Sequence, residues 1–284
     1  MTRPVPYWLA LALVLVAPLV LLGCSTFRSS DDELLERLSE APSEPEIVYA
    51  NVQGWRLRAL RAGSPDAPRV LMIHGAPGSL DDFERYFSRT ELLERAELVS
   101  IDRPGYGYSE HGRIETSVRE QARLLEPFLV PGTIAVGHSY GGTLAARIAM
   151  EYPDDISGLV LVAASVSPED ELIFFFNAPF EWPVFNWTLS PDWRVANAEK
   201  VTRVAELREM EPLWPRIRVP TVVVHGTDDF LVPYEHALYA MERLTNAPAE
   251  LVTLEEESHF VIWSREELIS DIILRMLESV DTDQ

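Results

Sequence analysis

Gly137-His138-Ser139-Tyr140-Gly141 sets a glycine two residues to either side of a serine. A short apolar run, Thr133–Val136, precedes it, and residues with apolar helical spacing follow. Strand, sharp turn and helix in that order present a hydroxyl at a strand end, on a helix N-terminus whose dipole favours developing negative charge. The glycines let the chain close there without side-chain clashes. A serine hydroxyl is a weak nucleophile until a base takes its proton. His259, in Ser258-His259-Phe260 after the run Leu251–Leu254, is placed to be that base. Asp228 and Asp229 follow another apolar run, Thr221–Val224, and are carboxylates that could orient the imidazole.

Elements at regular intervals must position these residues. Ile47–Ala50 and Trp55–Arg61 read as strands joined by a hairpin turn at 51–54. Val70–Ile73, Leu98–Ile101, Thr133–Val136, Leu159–Ala163, Thr221–Val224 and Leu251–Leu254 are continuous apolar runs, as strands buried on both faces require. Helical periodicity fills Leu80–Arg95, Thr116–Leu129, Tyr140–Tyr152, Tyr234–Leu244 and Arg265–Ser279. Strands alternating with helices predict an α/β fold, a mostly parallel sheet with helices on both faces and an antiparallel hairpin at one edge. Residues 169–218 break the alternation and are rich in Phe and Trp. A segment that long is read as a small helical lid over the strand ends.

The chain has 284 residues, 47% hydrophobic, enough for one large core. A formal net charge of −21 argues against nucleic acid as a partner, because phosphate binding needs clustered cations. Lys200 is the single lysine and lies far in sequence from every motif. The histidines show no metal-ligand spacing such as H-E-x-x-H, so neither a metal nor a cofactor is expected.

From residue 47 to about 280 the chain resembles the α/β-hydrolase superfamily. Four stretches beside the serine motif carry the likeness. His74-Gly75-Ala76-Pro77-Gly78 resembles the family's HGxPG loop, which implies oxyanion donors at the N–H groups of Ala76 and Tyr140. Asp102-Arg103-Pro104-Gly105-Tyr106-Gly107-Tyr108-Ser109 resembles a turn that is chiefly structural in the family. The G-x-x-D-x-x-V-P pattern, counted from Gly226, implies Asp229 as the triad acid, with Asp228 the adjacent alternative and Asp170 a weaker rival. Ser258-His259-Phe260 resembles the loop bearing the base, with serine where glycine is usual. The order Ser139, Asp229, His259 matches the family's. His74 and His138 are read as structural neighbours.

The N-terminus reads as an address. Arg3 precedes an uncharged apolar run of 16 residues, Tyr7–Leu22, and then Leu21-Leu22-Gly23-Cys24 resembles the lipobox of bacterial lipoproteins. That likeness implies lipidation at Cys24, a membrane anchor, and a place in the bacterial cell envelope facing the periplasm or exterior. Residues 1–24 are thus a signal peptide ending in the lipobox cysteine, residues 25–46 a tether, and 47–284 the hydrolase domain with its insertion at 169–218. The expected activity is a serine carboxylic ester hydrolase working on a small hydrophobic ester. Carbon–carbon bond hydrolysis, peracid formation of the cofactor-free haloperoxidase type and prolyl aminopeptidase action share the same triad and stand as alternatives. A non-catalytic binding lipoprotein is the reading from a different class.

Overall fold

A computed structural model describes residues 27–175 and 177–282. The expected signal and Cys24 lie outside the described residues.

Eight strands form one sheet in the order β1-β2-β4-β3-β5-β6-β7-β8. They are β1 (Glu46–Val52), β2 (Trp55–Ala62), β3 (Arg69–Ile73), β4 (Glu97–Ile101), β5 (Thr133–His138), β6 (Ile156–Val162), β7 (Thr221–Gly226) and β8 (Ala249–Leu254). The β1–β2 hairpin is antiparallel, and so is its junction with β4. All other neighbours run parallel. The fold is the expected α/β-hydrolase arrangement.

The period of two explains why the central runs are wholly apolar. Val70, Met72, Ile134, Val136, Val222 and Val224 enter the core on one face of the sheet. Leu71, Ile73, Ala135 and Val223 enter the core on the other. The second face is covered by α2 (Val118–Leu125), α3 (Tyr140–Glu151) and α5 (Glu235–Arg243). The first is covered by a 3-10 segment, Leu80–Ser88, and by α6 (Glu266–Thr282). The helix expected over Leu80–Arg95 is in fact this 3-10 segment followed by the short turn Thr90–Leu93. Ser79 caps its start and Phe83, Tyr86 and Phe87 are buried, so packing supplies what regular i→i−4 bonding does not.

The stretch read as a tether is partly docked. Asp31–Arg37 forms α1, with Ser30 and Glu33 in a reciprocal capping box. Leu34 and Leu38 are buried against the first-face core. Asp31 pairs with buried Arg58 at 2.8 Å, and Arg37 grips Glu84. Two buried leucines and two charge contacts hold this short helix on the domain.

Between β6 and β7 the chain leaves the sheet. Two short helical turns, Asn177–Phe180 and Pro183–Asn186, lead into the long α4 (Pro191–Met210) and a 3-10 turn, Glu211–Arg216. These helices fall within residues 169–218 and form a cap.

Candidate active site

The serine loop follows from its glycines. Ser139 joins β5 directly to α3 with φ 55° and ψ −119°, a left-handed conformation that costs a side-chain-bearing residue about 1–3 kcal/mol. Its N–H donates to Val162 O on the neighbouring strand (3.0 Å), and its own carbonyl accepts from Gly142 N–H and Ser165 N–H. A Cβ at Gly141 would stand 2.0 Å from Ile73 O, and one at Gly137 2.2 Å from Gly141 O. The turn is thus clamped too tightly for any residue but glycine there. Gly75 is less tightly enclosed, yet a Cβ on it would be 3.1 Å from that of Ser139. The His74–Gly78 loop therefore lies against the serine.

His259 and Asp229 meet from two loops at the carboxyl ends of β8 and β7. His259 Nδ1–H donates to Asp229 Oδ2 at 2.7 Å. Asp229 Oδ1 accepts from the N–H groups of Leu231 (3.0 Å) and Val232 (2.8 Å), and His225 Nε2 lies 3.3 Å from Oδ2. Burial alone would raise this carboxyl, but the bonds from His225, His259 and Val232 outweigh it and hold Asp229 well below the usual carboxylate range. It is an ionised acceptor that fixes the imidazole tautomer. Asp228 is exposed and bonds weakly to Thr227, and Asp170 accepts from Ser167, so neither rival reaches His259. The two loops are tied together: Asp228 N–H donates to Glu257 O, and Thr227 N–H to Leu254 O.

The other histidines are held in fixed tautomers. His74 Nδ1–H donates to Gly75 O, and its Nε2 accepts from Arg103 N–H. His138 Nε2–H donates to His259 O at 3.0 Å. Burial keeps His74 neutral, and burial together with the nearby His259 pushes His138 down to about 3. Asp102, in the turn after β4, accepts from Leu80 N–H and Tyr108 N–H and pairs with Arg58. That turn is structural, as expected.

Ala76, Ser139, Tyr140 and His259 line one cavity of about 490 Å³ beneath the cap. The N–H groups of Ala76 and Tyr140 donate to no protein acceptor among the described residues. Ser139 Oγ likewise forms no hydrogen bond among them, a contact that in empty sites commonly closes only around substrate. The cap contributes Phe174, Phe180, Leu189 and Trp193 as an apolar wall. It also contributes residues that sequence reasoning did not place at the site. Glu171, Lys200 and Arg203 line the same cavity, so the single lysine, remote in sequence, is near the serine in space. Glu206, Glu209 and Glu211, carboxylates of the same segment that could face a substrate amine, do not line it. A buried pair, Arg103 with Glu199 at 2.8 Å, joins the β4 turn to α4 and was also unforeseen. Its one sequence signal is a charge at an otherwise buried helical position. Among the described residues no group of His, Cys, Asp and Glu is placed to hold a metal ion, and no helix is long and apolar enough to cross a membrane.

Comparison with known proteins agrees with the fold. The chain is 24% identical over 255 residues to a poly(3-hydroxyalkanoate) depolymerase of Ectopseudomonas oleovorans, a match covering 78% of this chain and 88% of that protein. It is 33% identical over 119 residues to the dihydrolipoyllysine-residue acetyltransferase component of the acetoin cleaving system of Cupriavidus necator. That second match spans 40% of this chain and only 31% of the relative's length. A solved bacterial membrane phospholipase A superposes with a TM-score of 0.65 at 23% identity, covering 97% of this chain and 98% of that one, a likeness of fold. The family model described as "Alpha/beta hydrolase family" matches residues 70–272, most of the chain from β3 to α6. This chain belongs to the alpha/beta hydrolase family, and it is a hydrolase.

Proposed function

We propose that this chain is a serine carboxylic ester hydrolase for esters with a hydrophobic part, using Ser139 as nucleophile, His259 as base and Asp229 as the acid that orients it. The observation that carries this reading is the convergence in one apolar-walled cavity of a strained strand-to-helix serine and a carboxylate-bound histidine. In the first half-reaction Ser139 Oγ attacks the ester carbonyl while its proton passes to His259 Nε2. The carbonyl oxygen, now negative, takes hydrogen bonds from Ala76 N–H and Tyr140 N–H. One such donor is worth about 3–4 kcal/mol. Collapse breaks the bond to the alcohol, which leaves with the proton from His259. Water then attacks the acyl-enzyme, gives its proton to His259, and the acid departs as Ser139 recovers its hydrogen.

Among the described residues the one carboxylate in the cavity wall that could meet an aminopeptidase's free amine is Glu171, which is already paired with Lys200. Ester hydrolysis is therefore preferred to that alternative. The relative from Ectopseudomonas oleovorans is named for cleaving a polyester, which favours the same bond type.

The proposal extends to the cell. Cys24 is read as a lipidated residue that anchors the domain to a membrane of the bacterial envelope, with α1 following it in the chain. Metabolic labelling with a fatty-acid probe should mark the wild type and not Cys24→Ser; equal labelling would sink the anchor reading. For the activity, p-nitrophenyl esters of increasing chain length are the test. Turnover by the wild type and its loss in Ser139→Ala is the expected result. Unchanged turnover in that variant would remove Ser139 from the mechanism.

A further inference from the structure

The lining of the cavity is of two unlike kinds. Phe174, Phe180, Leu189 and Trp193 form an apolar wall suited to a hydrocarbon group. Opposite in character are Glu171, Lys200 and Arg203, two cations and one carboxylate in the lining of the same space. The chain as a whole carries −21, with one lysine among its 284 residues, and that lysine is here.

Arg203 is 2% exposed. Its Nη2 donates to Ser165 O (2.8 Å) and to Thr143 Oγ1, and its Nε to Ser165 Oγ (3.3 Å). The guanidinium lies 4.0 Å over the ring of Tyr140, the residue directly after Ser139. Its Nη1 is buried and has no hydrogen-bond partner among the described residues. Glu171 comes only within 4.0 Å of its Nε and spends its nearer contact on Lys200. Ser165 Oγ donates to Glu171 Oε2 at 2.5 Å. A single carboxylate is thus shared by two cations, and the firmly held one keeps an unsatisfied donor. Burying charge without a full partner is costly, and a cavity that took only hydrocarbon would be better lined by Leu or Met.

We propose that these charged residues form an oxyanion-group subsite: the substrate carries, besides its ester, a carboxylate or phosphate held by Lys200 and Arg203, with its apolar part against the aromatic wall. Arg203, fixed by Ser165 and Thr143, supplies a preorganised charge. Lys200, whose side chain is 23% exposed, is the partner free to swing from Glu171 to the ligand. Glu171 holds the two cations together when no anion is bound. This inference rests on the ester-hydrolase reading and names its substrate class.

Paired substrates in two arms test it on the full chain in nonionic detergent. In the acyl arm, mono-p-nitrophenyl succinate is compared with p-nitrophenyl butyrate. In the alcohol arm, the butyrate ester of 4-hydroxyphenyl phosphate is compared with phenyl butyrate. In at least one arm the anionic member should have a kcat/KM about tenfold or more above its neutral partner, and the arm tells a carboxylate on the acid from a phosphate on the alcohol. Lys200→Met should abolish that ratio and Lys200→Arg should keep it. Glu171→Gln should raise it further, since both cations then lack their anion; a merely structural ion pair gives no such gain. Equal kcat/KM within both pairs, or a preference that survives Lys200→Met, overturns the subsite while leaving the ester reading intact. Failure to cleave all four esters, in protein whose Ser139 still reacts with a fluorophosphonate, overturns the ester reading and the subsite with it.

Discussion

The rim of the sheet and the cap above it meet at one cavity but are built by different means. On the rim, Ser139, Asp229 and His259 sit in tight loops at the ends of adjacent or nearly adjacent strands, each held by backbone hydrogen bonds and by glycines that admit no Cβ. The cap adds to its apolar packing a set of long-range polar side-chain contacts: Arg103 to Glu199, Tyr106 to Glu199, Arg203 to Ser165, and His111 to Asp192. Loop geometry fixes where chemistry happens, whereas side-chain pairing fixes what stands over it. Changes at the rim should therefore remove activity with little loss of stability. Changes in the cap's ties should do the reverse, and changes on the cap's inner wall should alter only which ester is preferred.

The largest separation is expected at Ser139 and Asp229. Ser139→Ala should cut kcat by about 10⁴-fold or more, and Asp229→Asn by about 10⁴-fold through loss of the correct tautomer. Thermal unfolding of Ser139→Ala should stay close to wild type, since the alanine keeps the Cβ and Ser139 Oγ makes no hydrogen bond. Activity within tenfold of wild type in either variant would contradict the proposed roles.

The cap's buried tie is the converse case. Glu199 accepts from Arg103, Gln121 and Tyr106, all buried. Arg103→Met leaves that carboxylate without its cation, and removing one member of a buried pair costs about 3–5 kcal/mol. Urea unfolding should show that loss, and Arg103→Met with Glu199→Leu should recover a good part of it. If the single variant were as stable as wild type, the pair would not be what secures α4.

These two cases also divide what the sequence could reveal. The strands, the serine turn and the acid and base loops were legible because each rests on a local pattern: an apolar run of strand length, then glycines at fixed offsets or, for the base, a Ser-His-Phe stretch that resembles the family's loop. Asp229 could be chosen over Asp228 only through its likeness to the family's G-x-x-D-x-x-V-P pattern, and its contact with His259 agrees. The docking of α1 was half-visible in the capping spacing of Ser30 and Glu33, yet only the burial of Leu34 and Leu38 distinguishes a docked helix from a tether. The Arg103–Glu199 pair and the position of Lys200 were not legible, because contacts between residues so far apart in the chain leave no local periodicity. The 3-10 course of Leu80–Ser88 was missed for a related reason: amphipathic spacing over nine residues does not separate the two helix types.

A smaller effect distinguishes the two regions by pH. His138 on the rim is pushed by burial to about 3, and His236 near the base of the cap, accepting from Val166 N–H and Ser167 N–H, to about 4. Both are therefore neutral when folded, while an unfolded imidazole takes its proton near pH 6.5. Below that pH the unfolded chain binds protons that the folded chain refuses, so each histidine's contribution falls as pH drops from about 6.5 towards its folded value. The limiting slope is about 1.4 kcal/mol per pH unit for each. His138→Gln retains a donor for His259 O and should flatten the fall in urea midpoint between pH 6.5 and 4. An unaltered slope would mean that His138 titrates normally in the folded protein.

The smallest effects belong to the cap's aromatics, and they test whether its wall and its outer surface are separate in function. Trp193 lines the cavity, while Trp187 is 73% exposed and is not part of the lining. Trp187→Ser should change stability by no more than about 0.5 kcal/mol, as exposed positions usually do. It should leave the ratio of long- to short-chain ester hydrolysis unchanged. Trp193→Ala removes an aromatic face from the apolar wall and should shift that ratio several-fold, with kcat on a short ester nearly retained because the serine turn is untouched. The same ratio in both variants would mean that the inner wall selects nothing. A shift in Trp187→Ser alone would place recognition on the outer surface of the cap, where substrate would be met before it enters the cavity.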